Sequence, residues 1–154
     1  MRAIARRWLN LHEEIHVHGQ ELERLVREKA PGLMNSHGIS TMTAAEMLTL
    51  VGDNPERIKS EAALAKLCGV CPIPASSGKT NRMRLNRGGN RKANAALYIV
   101  AVTRMRGHEA TKAYVIKRTA QGKSKREITR CLKRYIIREI YRQLCVPNGA
   151  KSTH

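Results

Sequence analysis

The side chains best suited to chemistry in this sequence lie in one short polar run, Ser76-Ser77-Gly78-Lys79, with Arg82, Arg84 and Arg87 close behind. A serine hydroxyl beside a glycine can approach a phosphodiester closely. Neighbouring cations can neutralise the non-bridging oxygens as charge builds in the transition state. Serine is a weak nucleophile until it is activated, and no general base adjoins this run, so a plain Ser-Ser-Gly turn stands beside the catalytic reading.

Three other patterns carry known chemistry. His12-Glu13-Glu14-Ile15-His16 spells the H-E-x-x-H of zinc peptidases, in which two histidines one helical turn apart hold metal and the glutamate activates water. Here Leu11 and Ile15 belong to an apolar seam, and Leu22 stands where the third histidine of the longer pattern falls. Cys68-Gly69-Val70-Cys71 has the spacing of half a structural zinc site, and Cys131 with Cys145 reads as a pair of core thiols rather than the other half. No metal site is expected within this chain. Ser77-Gly78-Lys79-Thr80 ends like a phosphate-binding loop, but Ile73 stands where the first glycine belongs, and Pro72 and Pro74 remove backbone donors.

The charge around the serines narrows the field. The chain carries 29 Lys and Arg against 12 Asp and Glu, a formal charge of +17. Segment 79–142 alone holds 19 basic residues and three acidic ones, Glu109, Glu127 and Glu139, leaving the remainder nearly neutral. Segregated like charge costs folding stability by self-repulsion, and a polyanion neutralises it on binding. A solvated face or an anionic membrane surface would take a similar charge. No run approaches the ~20 apolar residues of a membrane span, and the amino end lacks the apolar stretch of a signal peptide, so a cytoplasmic location with reduced thiols is expected.

Without Phe, and with few other aromatics, the core must be Leu, Ile, Val, Ala and Met, most of them good helix formers. Apolar residues recur at Ile4, Trp8, Leu11, Ile15, Leu22 and Leu25 with heptad spacing, which predicts an amphipathic coiled-coil-type helix over 1–30 that Pro31 and Gly32 end. A helical domain over 31–146 follows. His37-Gly38-Ile39-Ser40-Thr41-Met42 reads as a tight turn before a helix capped by Thr43 with Glu46, and Ser60 caps a further helix ending at Gly69. Segment 72–90 reads as a long basic loop, of a length usually reserved for function. Asn90 caps a helix over 91–106, a shorter helical segment surrounds 111–119, and Gly122 breaks the chain. Ser124-Lys125-Arg126-Glu127 is a capping box opening the last helix. Along that helix Arg126, Arg130, Arg134, Arg138 and Arg142 recur every four residues as a stripe able to follow a phosphate backbone or simply to stay solvated. The tail 147–154 reads as flexible.

In order, Gly38-Ile39-Ser40-Thr41-Met42-Thr43-Ala44-Ala45, Val51-Gly52-Asp53, Leu67-Cys68-Gly69-Val70-Cys71-Pro72, Ser77-Gly78-Lys79, Asn86-Arg87-Gly88-Gly89-Asn90 and Ala96-Leu97-Tyr98 form a series. The series resembles the carboxy-terminal transposase domain of the insertion-sequence 110/116/902 family, over about 33–144. The resemblance implies a mainly α, helix-hairpin-helix-like domain whose turn, through Gly38, Ser40 and Thr43, offers donors to DNA phosphates; the family pattern has a second glycine where Ser40 stands. It implies Ser77, or Ser76 beside it, as the nucleophile that joins covalently to DNA. Lys79, Arg82, Arg84, Arg87, Arg91 and Lys92 would then grip the backbone, with Arg126, Arg130, Arg134 and Arg138 on the last helix.

Members of that family begin with a RuvC-like domain whose acidic residues hold magnesium, joined through a coiled coil. The resemblance therefore implies a truncated or late-starting transposase, with magnesium expected only alongside that other domain. It also implies a bridging RNA and a homo-oligomer formed through the amino-terminal helix. The rival reading is a non-catalytic DNA- or RNA-binding module that uses the same charge without chemistry.

Overall fold

The computed structural model describes residues 1–74, 83–84 and 86–146. Among them the order is α1 (Arg2–Lys29), α2 (Pro31–Met34), α3 (Thr41–Val51), a 3₁₀ turn (Pro55–Arg57), α4 (Glu61–Leu67), β1 (Ile73–Pro74), β2 (Met83–Arg84), α5 (Arg91–Gly107), α6 (Glu109–Ala120) and α7 (Lys125–Leu144). The fold is mainly α, as the composition requires.

Side-chain caps set most of the helix starts. Ser60 accepts from the Ala63 N–H and Asn90 from the Ala93 N–H. At α7, Ser124 and Glu127 complete both arms of the capping box, and those hydrogen bonds from the Ser124 backbone and hydroxyl hold Glu127 below the usual carboxylate range. The start of α3 corrects the sequence reading. Ser40, not Thr43, is the cap, and Thr43 sits buried in the first turn, donating its N–H to Ser40 Oγ. Within this turn only Gly38 takes the left-handed conformation, at φ 79°, while Ser40 is extended at φ −89°, so a serine costs no strain where the family pattern has glycine. Ser40 gains the cap because the turn delivers it extended, one residue before the helix.

Helix α5 lies at the centre, packed against α3, α6 and α7, while α4 also rests on α7. Its Ala93, Ala96 and Ala101 bring neighbouring helices close, and Leu97 and Val100 join Leu33, Met47, Leu64, Ile128, Ile136 and Ile140 in an aliphatic core. An internal ion pair ties the far end together. Arg104 donates to both Glu139 carboxylate oxygens, at 2.7 and 3.1 Å, and to the His37 carbonyl at 2.7 Å, so the turn before α3 is fastened to α5 and α7. Burial pushes the Glu139 carboxyl up, but hydrogen bonds and charge, chiefly from Arg104, hold it below its ordinary value.

Segment 72–90 is not wholly irregular. Ile73 pairs with Arg84 and Pro74 with Met83 in an antiparallel ladder, a correction to the plain loop expected there. Two-residue strands have no alternation to read, and prolines usually argue against them. Residues 75–82 and 85, and the tail 147–154, lie outside the described residues.

The first helix holds to the domain only by its carboxy-terminal turns. Val26 is buried and Leu22 half-buried, whereas Ile4, Trp8, Leu11 and Ile15 are exposed, Ile15 at 71%. No helix among the described residues is long and apolar enough to cross a membrane.

Candidate nucleic-acid interface

The floor of the site is set by a backbone crossing. A Cβ on Gly89 would overlap the Gly69 backbone, and only a glycine there lets the 86–90 stretch pass beneath the end of α4. Gly69 itself is left-handed, at φ 65°. Asn90 N–H donates to the Leu67 carbonyl at 2.7 Å, and Asn86 Nδ2 reaches the Lys66 carbonyl at 3.4 Å. The Asn-Arg-Gly-Gly-Asn motif is thereby a clasp joining α4 to the start of α5.

Lys133 of α7 closes the clasp from above. Its Nζ donates to the Asn94 carbonyl at 3.1 Å and to Asn94 Oδ1 at 2.7 Å, and sits 5.4 Å from the Tyr98 ring centre. Asn94 Nδ2 in turn donates to the Cys68 carbonyl at 2.9 Å. Burial pulls the Lys133 ammonium below the usual lysine range. Sequence alone does not single out Lys133, because its hydrogen-bond partner Asn94 lies 39 residues away.

On either side of Lys133 lies an open cleft. One, of about 540 Å³, runs between the end of α4, the strand ladder, α6 and α7, and Arg84, Arg118, Lys123, Arg130 and Arg134 line it with Glu127 as the one acid among its described lining residues. The other, of about 510 Å³, is bordered by Arg87, Arg91 and Tyr98. Opposite charge is scarce here: Arg84, Arg130 and Arg134 make no carboxylate pair among the described residues. Arg118 stacks on Tyr114 and donates to Gln121, while its Nε is buried without a partner among the described residues. Burial, with Cys131 and Tyr135 alongside, pushes the Tyr114 hydroxyl up to about 12.

The structure thus brings together Arg84, Arg87, Arg91, Arg130 and Arg134 of the residues named from sequence. It separates others. A four-residue step turns a helix by about 40°, so the stripe winds off the cleft, and Arg138 pairs instead with Glu61 at 2.9 Å and stacks on Tyr135. Lys92 and Arg126 are exposed but line neither cleft. Gly38, Ser40 and Thr43 lie toward the other end of α5, where Gly38 faces Thr103 and Arg104. That is about ten residues and ~15 Å along the helix from Asn94. Ser76, Ser77, Lys79 and Arg82 fall outside the described residues; the ladder that carries both ends of their segment borders the larger cleft.

The other motifs separate from this site. His12, Glu13 and His16 lie on exposed turns of α1, His12 stacked on Trp8 and His16 bonded to Gln20. Cys68 is buried, which pushes its thiol up to about 12, and no three His, Cys, Asp or Glu side chains converge to hold a metal among the described residues.

A helical domain whose cleft gathers Arg84, Arg130 and Arg134 without carboxylate partners among the described residues is of a class suited to a polyanion. The chain belongs to a transposase family: the model of the transposase IS116/IS110/IS902 family matches residues 30–115. It is also 32% identical over 96 residues to the insertion element IS110 uncharacterized 43.6 kDa protein of Streptomyces coelicolor, an alignment covering 62% of this chain and 24% of that protein. The chain thus spans about a quarter of that relative. The α7 wall of the cleft, with Arg130, Lys133 and Arg134, lies beyond the matched segment.

Proposed function

We propose that this chain grips DNA in the cleft beside Lys133 and presents Ser77, with Ser76 as the alternative, for attack on a phosphodiester. The observation that carries the reading is the meeting of Arg84, Arg130 and Arg134, without carboxylate partners among the described residues, at the foot of the strand ladder that brackets segment 75–82.

In the reaction, Ser77 Oγ bonds to phosphorus and the bond from phosphorus to one deoxyribose oxygen breaks. The hydroxyl proton leaves to a base or to water, and the departing oxygen takes up a proton. The phosphodiester is conserved as a serine–DNA ester. Attack by a hydroxyl of another strand reverses the exchange and frees the serine, so no external energy source is needed. Arg84, Arg130 and Arg134 contribute by neutralising the phosphoryl oxygens where negative charge grows. Lys79, Arg82, Arg87, Arg91 and Lys92 extend the grip along the backbone, and Arg126 and Arg138 flank it. The turn at Gly38, Ser40 and Thr43 is a second, separate DNA contact.

Magnesium would be held by a further RuvC-like domain working with this part, and a bridging RNA would share the same cationic surface. The exposed heptad seam of α1 supports a homo-oligomer, since two copies can cover Ile4, Trp8, Leu11 and Ile15.

A charge-matched comparison tests the grip. Arg130→Ala with Arg134→Ala is expected to weaken duplex binding about tenfold at 0.1 M salt and to lower the salt slope by nearly 2, as two lost phosphate contacts require. Arg2→Ala with Arg6→Ala on α1 carries the same charge loss and is expected to change either quantity much less. Equal losses from both pairs would show the cleft to be irrelevant.

A further inference from the structure

The larger cleft has two chemistries. Its rim is cationic, through Arg84, Lys123, Arg130 and Arg134, while Val70, Pro72, Met83 and Cys131 give it an apolar wall. Phosphate alone needs only the rim. Paired DNA presents its phosphates outward and keeps its bases stacked inside, so it offers nothing to an apolar recess behind them. The recess, at about 540 Å³, falls within the ~300 to 1,000 Å³ of sites that take a small organic ligand. We infer that this cleft takes one unpaired nucleotide of a nucleic-acid strand, its base against Val70, Pro72 and Met83 and its phosphate among Arg84, Arg130 and Arg134.

The polar groups around the recess determine how the base is read. Asn94 has its carbonyl oxygen bound by Lys133 and its amide nitrogen committed to the Cys68 carbonyl. Asn86 donates to the Lys66 carbonyl and accepts from the Gly88 N–H. Glu127 is engaged by the Ser124 backbone and hydroxyl. Each of these amides thus has one N–H and its oxygen engaged in holding the fold, which limits what it offers a base edge. The recess therefore accepts a base by burial rather than by its hydrogen-bonding pattern, and discriminates unpaired from paired rather than one base from another. The inference rests on the cleft being a nucleic-acid grip, and the experiment separates the two.

Three DNA duplexes would be titrated with the full chain: one fully paired, one with a single bulged 2-aminopurine, and one with the same bulge left abasic. The abasic bulge keeps the phosphate and the bend and lacks only the base. The 2-aminopurine bulge is expected to bind about tenfold tighter than the abasic one, as burial of roughly 50 to 60 Å² of one base face against an apolar wall supplies. Its fluorescence should rise on binding, since the apolar wall holds no aromatic ring to quench it. Replacing 2-aminopurine by each natural base should change affinity less than about threefold. Met83 is 57% exposed, so Met83→Ala leaves the core untouched and should cut the bulge-to-abasic ratio to about threefold. Because that ratio is taken within one variant, a general change in affinity does not enter it. Equal affinity for the two bulges, with salt-sensitive binding of the paired duplex intact, would overturn the nucleotide site and leave the grip standing. Absence of salt-sensitive binding to all three would overturn both.

Discussion

Lys133→Met keeps the aliphatic stem of the residue that holds the two clefts together and removes only its charge. The ammonium makes two hydrogen bonds to Asn94 and lies over Tyr98, and it is half-buried. Charge-assisted hydrogen bonds contribute about 1.5 to 3 kcal/mol each where well buried, and partial exposure together with the cost of burying the charge reduces the net to about 2 kcal/mol. For a chain of this length the unfolding entropy is roughly 0.3 kcal/mol per kelvin, so Tm should fall by about 6 °C. Thermal unfolding followed by circular dichroism would measure it, and a cycle with Asn94→Ala would isolate the pair. The expected coupling is about 1 kcal/mol, since each single change removes the same contact. A Tm within 1 °C of the parent, with additive effects in the cycle, would refute the view that this latch shapes the cleft.

Three further outcomes follow from the same structure. Glu139→Gln leaves Arg104, whose side chain is only 11% exposed, without its carboxylate; the 34% exposure of Glu139 moderates the loss to about 2 kcal/mol at pH 7. Because the folded-state pKa of Glu139 lies below its ordinary value, the ion pair is fully present above the unfolded pKa and is lost as pH falls through the folded one. The stability gap between parent and variant, read from denaturant melts, should therefore close below about pH 4. Gly89→Ala forces a Cβ into the Gly69 backbone and should cost about 3 kcal/mol in the same melts, whereas Gly19→Ala on the exposed helix, with nothing near its Cβ, should be neutral or slightly stabilising. Ile15→Asp should convert an oligomer to a monomer in light scattering without shifting Tm of the domain, and an unchanged mass would remove α1 as the association surface.

Helix positions were legible because their signals are local. Ser60, Asn90 and Ser124 each place a side-chain oxygen three residues before an N–H that needs it, and Gly69 and Gly122 mark left-handed ends that other residues resist. Where two capping patterns overlapped, at Ser40 and Thr43, the choice depended on how Gly38 turned the chain, which spacing alone does not show. The cationic cleft was half legible. Net charge singled out the basic segment, but Arg130 and Arg134 were sorted from Arg138 only by the 40° drift of the stripe and by the distant Glu61. Lys133, Arg118 and Asn94 were illegible because their importance lies in partners 26 or more residues away in sequence, or in an atom buried by tertiary packing. The ladder of Ile73–Pro74 and Met83–Arg84 was hidden by its brevity.

The most direct test of the proposal is to join this chain to the rest of a family transposase, supply a DNA substrate nicked so that the cleaved strand cannot be resealed, and identify any protein–DNA adduct by peptide mass spectrometry. A phosphoester on Ser77, abolished by Ser77→Ala and retained in Arg126→Ala, is the predicted result. An adduct formed undiminished by a chain carrying both Ser76→Ala and Ser77→Ala would contradict it.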